Sequence, residues 1–509
     1  MKLKENINRR KFLSSAATAF AFTVVPRHVL GGPKYVAPSD KITLAYIGCG
    51  TQGLREMLRL VTNPEVQIVA VCDPERDNTN YVDWDKYGIR NSIRKLLENP
   101  SWGEGVKGIR CGREVGREIV EKYYAKNRAS ESYKGCSSYA DFRELLEKEK
   151  DLDSVKIMTP DHHHATISIA AMKKGKHVAM HKPVANRIYE ARLVVETARK
   201  TGVATHLLAW RSPIDSVRDM VRNGAIGTLQ EIHNWTDRPF WPQYTSIPTE
   251  KPPVPRSFDW DLWLGPVPNR PYHPNYTHAV FRGWYDFGGG SIADMGNYSL
   301  WPIFMAFDLG VPNSIEALPS SSVEIVDQVS SVKMNDFAFP HACMIRFKFP
   351  ARGKNPPLDL YWYDGGMRPL TPDELKMDNK QMTATGTMFV GNKGIILNEQ
   401  IIPEKKMLKY QDTKKITQEQ VRRGGGGSGD SSWIESFKGG APSPGNFINT
   451  SDVTETICLA GVALRYCRKN FKENRITPPL EWDSKNMKFT NIPEANEYLS
   501  REYRKGWEL

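Results

Sequence analysis

Metal-ligand and disulfide patterns are scarce in this sequence. Its seven cysteines stand singly at positions 49, 72, 111, 136, 343, 458 and 467, without a CxxC pair. A structural zinc site needs clustered Cys and His side chains at short spacings, so we predict no metal site. Cys49 and Cys72 fall in apolar, strand-like runs and are predicted to be small core residues. The spacing leaves open whether any of the others form a disulfide.

Signatures of nucleic-acid binding are also missing. No Lys/Arg-rich run is interleaved with aromatic residues, and no zinc-finger or helix-turn-helix pattern occurs. The formal net charge is +12, but the first 31 residues contribute six Lys or Arg and one Glu, which leaves about +7 spread over the remainder. We therefore expect no nucleic-acid partner.

Beyond the first 31 residues, no stretch reaches the length of a membrane span. The N-terminus reads Asn8-Arg9-Arg10-Lys11-Phe12-Leu13, followed by an uncharged, mostly apolar stretch from Ser14 to Val25. This segment, residues 1–31, resembles a twin-arginine export signal, and its apolar part is too short to cross a bilayer. We expect a cleaved leader, a periplasmic protein and no permanent membrane anchor.

A glycine-rich loop follows the first apolar run of the mature chain. From Lys41 the sequence reads KITLAYI and then Gly48-Cys49-Gly50-Thr51-Gln52-Gly53, with a helix-like LREMLRLV after it. Strand, GxGxxG turn and helix in this order predict a Rossmann dinucleotide site, with the phosphates at the helix N-terminus. We predict that Gly48, Gly50, Thr51, Gln52 and Gly53 bind the cofactor.

A second apolar run, Val66 to Cys72, ends in Asp73, twenty residues after Gly53. A carboxylate at that strand end can accept hydrogen bonds from the adenosine ribose and would repel a 2′-phosphate. We therefore predict NAD as cofactor. Arg76 nearby leaves NADP open as the alternative.

A length of 509 residues predicts two domains. The α/β pattern continues with strands at 153–158 and 177–180, so residues 41–205 are predicted to form the NAD-binding Rossmann domain. Residues from about 81 to 133 show no strand pattern and are interpreted as a partly helical insert. Residues 206–509 form the second domain, with GGGGSG at 424–429 as a loop before a helix near Ser431.

The stretch TPDHHHATISIAAMKKGKHVAMHKPVA is the most specific motif of the chain. Together with WYDFGGGSIADMGNY and further matches from Lys41 to Leu509, it resembles the glucose-fructose oxidoreductase, inositol dehydrogenase and MocA (Gfo/Idh/MocA) family. The resemblance implies a C-terminal α/β domain with a large, mostly antiparallel sheet that carries a sugar site and often an oligomer interface. It also implies that Thr159, Pro160 and Lys182 lie at the nicotinamide.

The chain departs from the family pattern at two positions. His181 stands where the family has the Glu of Glu-Lys-Pro, and Tyr298 stands four residues after Asp294, where the family has a His acid/base. The resemblance implies catalytic roles for Lys182 and Asp294. A lysine beside a cationic ring and shielded from water should have a lowered pKa, and His181 or Tyr298 could complete a proton relay. Tyr298 could equally be a hydrogen-bond donor to substrate.

Aromatic and cationic residues that could hold a sugar are plentiful. We predict that Arg211, Arg282, Trp284, Tyr285, Asp294 and Tyr298 bind substrate, whereas Trp210, Trp235, Trp241 and Trp362 are weaker candidates because most Trp residues pack in cores. In the run His162-His163-His164, adjacent side chains point in different directions and give two ligands at best, which argues against a metal. His164 is predicted to contact cofactor, substrate or backbone, and His177 to be a packed strand-end residue.

Three functions fit these observations. The first is an exported NAD-dependent oxidoreductase that oxidises a hydroxyl of a sugar or glycoside, with C3 as the candidate position and with a tightly bound, recycled cofactor, because no dinucleotide pool exists outside the cell. The second is a redox-neutral NAD-dependent glycosidase resembling the α-N-acetylgalactosaminidases. The third is a catalytically silent sugar-binding protein. In each case we expect a homo-oligomer.

Overall fold

A computed structural model describes residues 40–129, 133–353, 355–414, 430–472 and 476–509. The predicted twin-arginine signal and the glycine run at 424–429 lie outside these ranges. Within the described ranges, no helix is long and apolar enough to cross a membrane.

The N-terminal domain is built on a six-stranded sheet of order β5-β2-β1-β6-β7-β8, in which every pairing is parallel. This is the strand order of a dinucleotide-binding fold, with the reversal beside β1. The strands of the domain are β1 (Ile42–Ile47), β2 (Val66–Cys72), β3 (Asn78–Tyr81), β4 (Ile109–Cys111), β5 (Ser137–Tyr139), β6 (Ser154–Ile157), β7 (His177–Met180) and β8 (Thr205–Leu207). Strands β1, β2, β6 and β7 occupy the predicted positions.

Helices cover both faces of this sheet. They are α1 (Thr51–Leu60), α2 (Lys86–Leu97), α3 (Arg113–Asn127), α4 (Phe142–Lys148), α5 (His164–Lys173) and α6 (Ile188–Thr201). Successive side chains of a strand point to opposite faces, so Leu44 and Tyr46 join one apolar core and Ala45 and Ile47 the other. The continuous apolar run of β1 follows from this two-sided burial.

The interpretation of residues 81–133 as partly helical is confirmed by α2 and α3, but the expectation that this segment has no strand is wrong. Strands β3 and β4 pair as a short antiparallel ladder, and α3 packs on the parallel sheet through buried Val115, Ile119 and Val120. The Tyr124 hydroxyl of α3 accepts a hydrogen bond from the backbone N–H of Ile68 in β2. Strands β3 and β5 are short and polar, and β4 has only three residues, so none of them shows a recognisable alternation.

The second domain contains a nine-stranded sheet of order β17-β16-β15-β9-β14-β13-β10-β18-β19. Its pairings are antiparallel except that between β9 and β14, which confirms the predicted fold class. Its strands are β9 (Leu229–Trp235), β10 (Ser314–Pro319), β13 (Cys343–Phe349), β14 (Leu358–Tyr363), β15 (Gly386–Gly391), β16 (Gly394–Leu397), β17 (Gln400–Ile402), β18 (Leu480–Asp483) and β19 (Lys488–Phe489), and a separate hairpin pairs β11 (Ser322–Val326) with β12 (Val329–Lys333).

The helices of this domain are α7 (Asp215–Arg222), α8 (Trp260–Leu264), α9 (Asn297–Ser299), α10 (Trp301–Phe307), α11 (Asp373–Met377), α12 (Glu404–Lys414), α13 (Ser431–Phe437) and α14 (Ser451–Lys472). Two C-terminal segments return to the first domain. Trp433, Ile434 and Phe437 of α13 join the core around β1, and Trp507 packs against Phe142. Residues 206–509 therefore complete the N-terminal core as well as forming the second sheet.

All seven cysteines lie in the described ranges and are free thiols. Cys49 and Cys72 are fully buried next to β1 and in β2, which confirms their prediction as core residues.

Candidate active site

The glycine-rich loop joins β1 to α1 and forms one end of a large cavity. Gly48 has a φ of +102°, and a Cβ there would lie 2.5 Å from the Met158 carbonyl carbon. A Cβ on Gly53 would lie 2.1 Å from the Gly48 oxygen. The loop thus lies close against the end of β6, and the N-terminus of α1 opens toward the cavity. These residues fit a dinucleotide pyrophosphate.

Asp73 stands at the carboxyl end of β2 and lines the same cavity. Its carboxylate accepts hydrogen bonds from the backbone N–H groups of Cys49 (2.6 Å) and Glu75 (2.8 Å). Burial raises the pKa of Asp73 to about 6, so the group is still mainly ionised at neutral pH. The position fits an acceptor for ribose hydroxyls. Arg76, by contrast, is exposed.

The second domain covers the turn that follows Asp73. The backbone N–H of Arg76 donates to Ser257 O (2.8 Å), and that of Asp259 donates to Pro74 O (3.1 Å). Tyr81 reaches within 3.4 Å of the position that a Cβ on Gly50 would take. Its ring stacks on His278 of the second domain, with centroids 3.9 Å apart. We call this Tyr81–His278 pair and the Pro74–Asp259 contacts the clasp.

The cavity has a volume of about 440 Å³ and is lined by both domains. Thirteen of the predicted site residues line it: Gly48, Gly50, Thr51, Gln52, Gly53, Asp73, Thr159, Pro160, His181, Lys182, Arg282, Asp294 and Tyr298. Because parallel strands present their carboxyl ends at one edge, residues that follow β1, β2, β6 and β7 meet here.

Lys182 is the second residue after the end of β7 and forms an ion pair with Asp294. Asp294 lies in a π-helical turn, Ile292–Gly296, and its Oδ1 also accepts from Arg282 Nε at 3.3 Å. Burial lowers the pKa of Lys182 to about 8, although Asp294 opposes the shift. Burial alone would raise the pKa of Asp294, but Lys182 and Arg282 outweigh it and hold this pKa below its usual value. At neutral pH the pair is therefore charged, with an easily released ammonium proton.

His181 and Tyr298 form a second pair beside the first. Tyr298 Oη lies 3.2 Å from His181 Nε2. Burial, and then the charge of Lys182, lowers the pKa of His181 well below its ordinary value. Burial raises the pKa of Tyr298, although the Arg211 guanidinium 4.7 Å from its ring centre opposes the shift. Both groups are thus neutral at physiological pH. In the tautomer protonated at Nε2, the imidazole donates to the phenol oxygen and leaves the phenol proton available to another acceptor.

The three consecutive histidines bind backbone carbonyl groups. His162 Nε2 lies 2.9 Å and His163 Nε2 lies 2.7 Å from Trp263 O. His164 Nδ1 lies 2.5 Å from Pro183 O, and its Nε2 lies 2.9 Å from Thr159 O. His164 therefore does not line the cavity as a cofactor-binding residue and instead connects the turns that carry Thr159 and Lys182. Among the described residues, no three His, Cys, Asp or Glu side chains are grouped as a metal site.

Two predicted substrate residues are core residues. Trp284 is 1% exposed, donates from Nε1 to Asn275 O (2.8 Å) and stacks on Tyr244. Tyr285 packs on Phe339 with centroids 4.0 Å apart. Their positions before the glycine-rich turn suggested the site, but the chain turns between Arg282 and Asp294 so that the intervening aromatic side chains face the interior.

Of Arg211 and the remaining candidate tryptophans, some line the cavity and others do not. Arg211 lies over Tyr298 without lining the cavity. Trp235 and Trp362 are buried in the sheet, whereas Trp241 lines the cavity. His177 accepts from the Ala204 N–H (3.0 Å) and packs near Phe437, as a strand-end residue would.

Sequence reasoning missed Arg238, Phe240 and His278, which line the cavity. Arg238 and Phe240 follow the end of β9 at Trp235. Polar and aromatic residues directly after a buried strand were the available signal. The contact partner of His278, Tyr81, is far away in sequence, so nothing local indicated it.

The fold and cavity define a two-domain, dinucleotide-binding protein of the Rossmann class. A sequence model described as "Oxidoreductase family, NAD-binding Rossmann fold" matches residues 113–208, and one described as "Oxidoreductase family, C-terminal alpha/beta domain" matches residues 211–357. These two matches support the Gfo/Idh/MocA oxidoreductase family for this chain.

Among similar curated proteins, a "Glycosyl hydrolase family 109 protein" of Stenotrophomonas maltophilia is 27% identical over 44% of this chain and 41% of its own length. A dTDP-3,4-didehydro-2,6-dideoxy-alpha-D-glucose 3-reductase of Streptomyces violaceoruber is 33% identical over 22% of this chain and 34% of its own length. The matches thus span about two fifths or less of these relatives. A solved structure of the WlbA dehydrogenase of Chromobacterium violaceum, in complex with NADH and UDP-GlcNAcA, aligns with a TM-score of 0.48 at 13% identity, over 87% of this chain and 97% of that chain.

Proposed function

We propose that this protein oxidises a ring hydroxyl of a sugar or glycoside, with C3 as the candidate position, and keeps its dinucleotide bound between turnovers. The observation that carries the proposal is the meeting of the Lys182–Asp294 and His181–Tyr298 pairs in the cavity that begins at the glycine-rich loop. The names of the relatives, which concern sugars, support this substrate class.

Oxidation of an alcohol requires a hydride acceptor and a group that takes the hydroxyl proton. A bound nicotinamide ring supplies the acceptor. Lys182 is the proton acceptor in this proposal, because a pKa of about 8 makes the neutral amine accessible near physiological pH. Asp294 holds the Lys182 ammonium in place, and the Tyr298 phenol, oriented by His181, donates a hydrogen bond to a substrate oxygen.

NAD is the proposed cofactor, since the Asp73 carboxylate would repel a 2′-phosphate. The clasp supports its retention, because backbone hydrogen bonds of the second domain close the turn beside the predicted ribose position. Retention fits the proposed export, since a periplasmic enzyme would have to reoxidise its cofactor in place with a second substrate. A homo-oligomer remains part of the proposal.

Several relatives named glycosyl hydrolase family 109 proteins favour a second candidate function. In a redox-neutral glycosidase, oxidation at C3 acidifies the C2 proton, elimination releases the aglycone, and water addition with reduction restores the ring. The same four side chains would serve the proton transfers. The two functions differ in whether the product is a ketone or a released sugar of unchanged oxidation state.

Mass spectrometry of products distinguishes these candidates. Purified protein with added NAD is incubated with glucosides and galactosides, with and without N-acetyl groups, and with an electron-accepting sugar. A product lighter by two hydrogen atoms, lost in Lys182→Ala and retained in Lys200→Ala at an exposed helix position, supports the oxidoreductase. Free sugar of unchanged oxidation state supports the glycosidase. Binding without any product would leave the third function, a silent sugar-binding protein.

A further inference from the structure

We call the part of the cavity around Lys182 and Asp294 its reaction end. This end has more cations than carboxylates. Lys182, Arg282 and Arg238 all approach Asp294, the last with its Nε 4.0 Å from Oδ2. The next carboxylate, Asp161, is almost fully buried and lies 3.5 Å from Arg282 Nη1. Three cations therefore surround two carboxylates, and excess charge shielded from water is costly unless an anion offsets it.

The other described carboxylates that line the cavity form no ion pair with these cations. Asp73, Asp83 and Asp141 belong to the wall formed by the Rossmann domain, where the adenosine half of a dinucleotide is expected. The pyrophosphate has its own donors in the glycine-rich loop and the N-terminus of α1. The positive charge at the reaction end is thus left for the substrate.

The backbone and side chain of Arg238 are positioned so that the guanidinium could bind an anion in the cavity. Its backbone is held on both sides, by Thr236 Oγ1, which accepts from its N–H, and by Gly365, which donates to its oxygen. Its guanidinium carbon lies 3.7 Å from the Phe240 ring centre. The guanidinium nitrogens of Arg238 donate no hydrogen bond to any other residue of the described ranges. One face of the guanidinium is therefore covered, and its donor edge is available to the cavity.

Arg282 adds a second donor. Its Nη1 is buried and lies 3.5 Å from Asp161 Oδ1 as an ion pair, but it donates no hydrogen bond within the described part of the chain. A planar carboxylate suits a guanidinium edge because two parallel N–H···O bonds form at once. A sugar hydroxyl would accept one of these bonds but would leave the charge unbalanced.

We propose that the substrate is an acidic sugar, a glycoside whose ring carries a carboxylate as in a hexuronic acid, and that Arg238 is the residue that selects it. This inference rests on the proposed function and adds the substrate class. The exposed Phe240 at the same wall offers an apolar face beside the guanidinium for the C–H side of the sugar ring.

The test compares methyl glucuronide with methyl glucoside, and methyl galacturonide with methyl galactoside, on the NAD-loaded protein. We measure kcat/KM by mass spectrometry and binding by titration calorimetry for the native protein, Arg238→Gln and Arg238→Lys. Arg199→Gln, a change on the exposed side of α6, is the matched control, and thermal melting verifies that each variant folds. We expect the native protein to show a kcat/KM at least tenfold higher for each uronide than for the matching neutral glycoside. This ratio should fall to about one in Arg238→Gln, fall only partly in Arg238→Lys and stay unchanged in the control.

The outcomes separate the two proposals. Turnover of neutral glycosides equal to or better than that of uronides would overturn the acidic-sugar class while the oxidoreductase proposal stands. A preference that survives Arg238→Gln, or a stronger preference for a sugar 6-sulfate, would also overturn it. Saturable binding of uronides that depends on Arg238, without turnover of any sugar, would support the substrate class and contradict the proposed oxidation.

Discussion

Tyr298 Oη lies 3.2 Å from His181 Nε2, and these are the two positions at which the chain departs from the Gfo/Idh/MocA pattern. In sequence they are 117 residues apart. Their contact indicates that the two departures form one unit: a neutral imidazole orients a phenol where the family pattern has a Glu and a His. Under the proposed function, the proton-handling groups of this site are therefore rearranged rather than lost.

A double-mutant cycle tests this unit. We expect Tyr298→Phe and His181→Ala each to lower kcat by roughly 10- to 100-fold. Tyr298 donates to the reacting oxygen and His181 orients it, and a hydrogen bond to an oxygen that gains charge is worth about 1.5–3 kcal/mol. The double variant should be little worse than either single variant, since the two side chains act together. Fully additive losses, measured by the same product assay, would show that they act independently.

The pH dependence of oxidation should follow Lys182. With a pKa of about 8, the neutral amine increases as pH rises, so kcat/KM should rise between pH 6 and 9 with a midpoint near pH 8. Asp294 raises the pKa of Lys182, so Asp294→Asn should move the midpoint to lower pH as well as slow the reaction. A pH profile of each protein is the measurement, and a midpoint that moves upward in Asp294→Asn would contradict this assignment.

Cofactor choice should depend on Asp73. We expect Asp73→Ser to weaken NAD binding and to improve NADP relative to NAD by tenfold or more, because the variant loses the carboxylate that repels a 2′-phosphate. Fluorescence titration with both reduced dinucleotides measures the ratio. Asp83→Ser, in the same wall of the cavity but paired with Arg55, is the control and should leave the ratio unchanged.

Retention of the dinucleotide should depend on the clasp. Tyr81→Ala removes the ring that lies over Gly50 and stacks on His278, so bound dinucleotide should be lost faster during gel filtration. Tyr87→Ala changes an exposed tyrosine of the same region, and this variant should retain the dinucleotide. Chromatography of the released nucleotide after denaturation gives the occupancy, and equal occupancy in both variants would show that the clasp does not hold the cofactor.

Export should depend on the paired arginines. Replacing Arg9 and Arg10 by Lys together should prevent appearance of the protein in the periplasmic fraction, whereas Arg27→Lys should not. Cell fractionation with immunoblotting measures the distribution. Periplasmic protein in the double variant would argue against a twin-arginine route.

The fold was predictable where local patterns were strong. The strands β1, β2, β6 and β7 are apolar because both faces of a parallel sheet are covered, and the glycine-rich loop is constrained by close backbone approach. Strands β3, β4 and β5 were missed since all three are short and since β3 and β5 are also polar. Trp284 and Tyr285 were misplaced because aromatic side chains near a catalytic turn can face either the cavity or the core, and only packing decides between them.

The sequence by itself determined the dinucleotide loop and the strand-end acid, because each follows from a short motif whose backbone geometry is local. It indicated Lys182 through the resemblance to the Gfo/Idh/MocA family. Tertiary structure alone decided that His181 contacts Tyr298, that His278 stacks on Tyr81 and that Arg238 joins the cations around Asp294. These contacts join residues 56 to 197 positions apart. Their distances depend on how the two domains pack and, for Arg238 and Asp294, on how the second domain folds, which no local pattern of residues encodes.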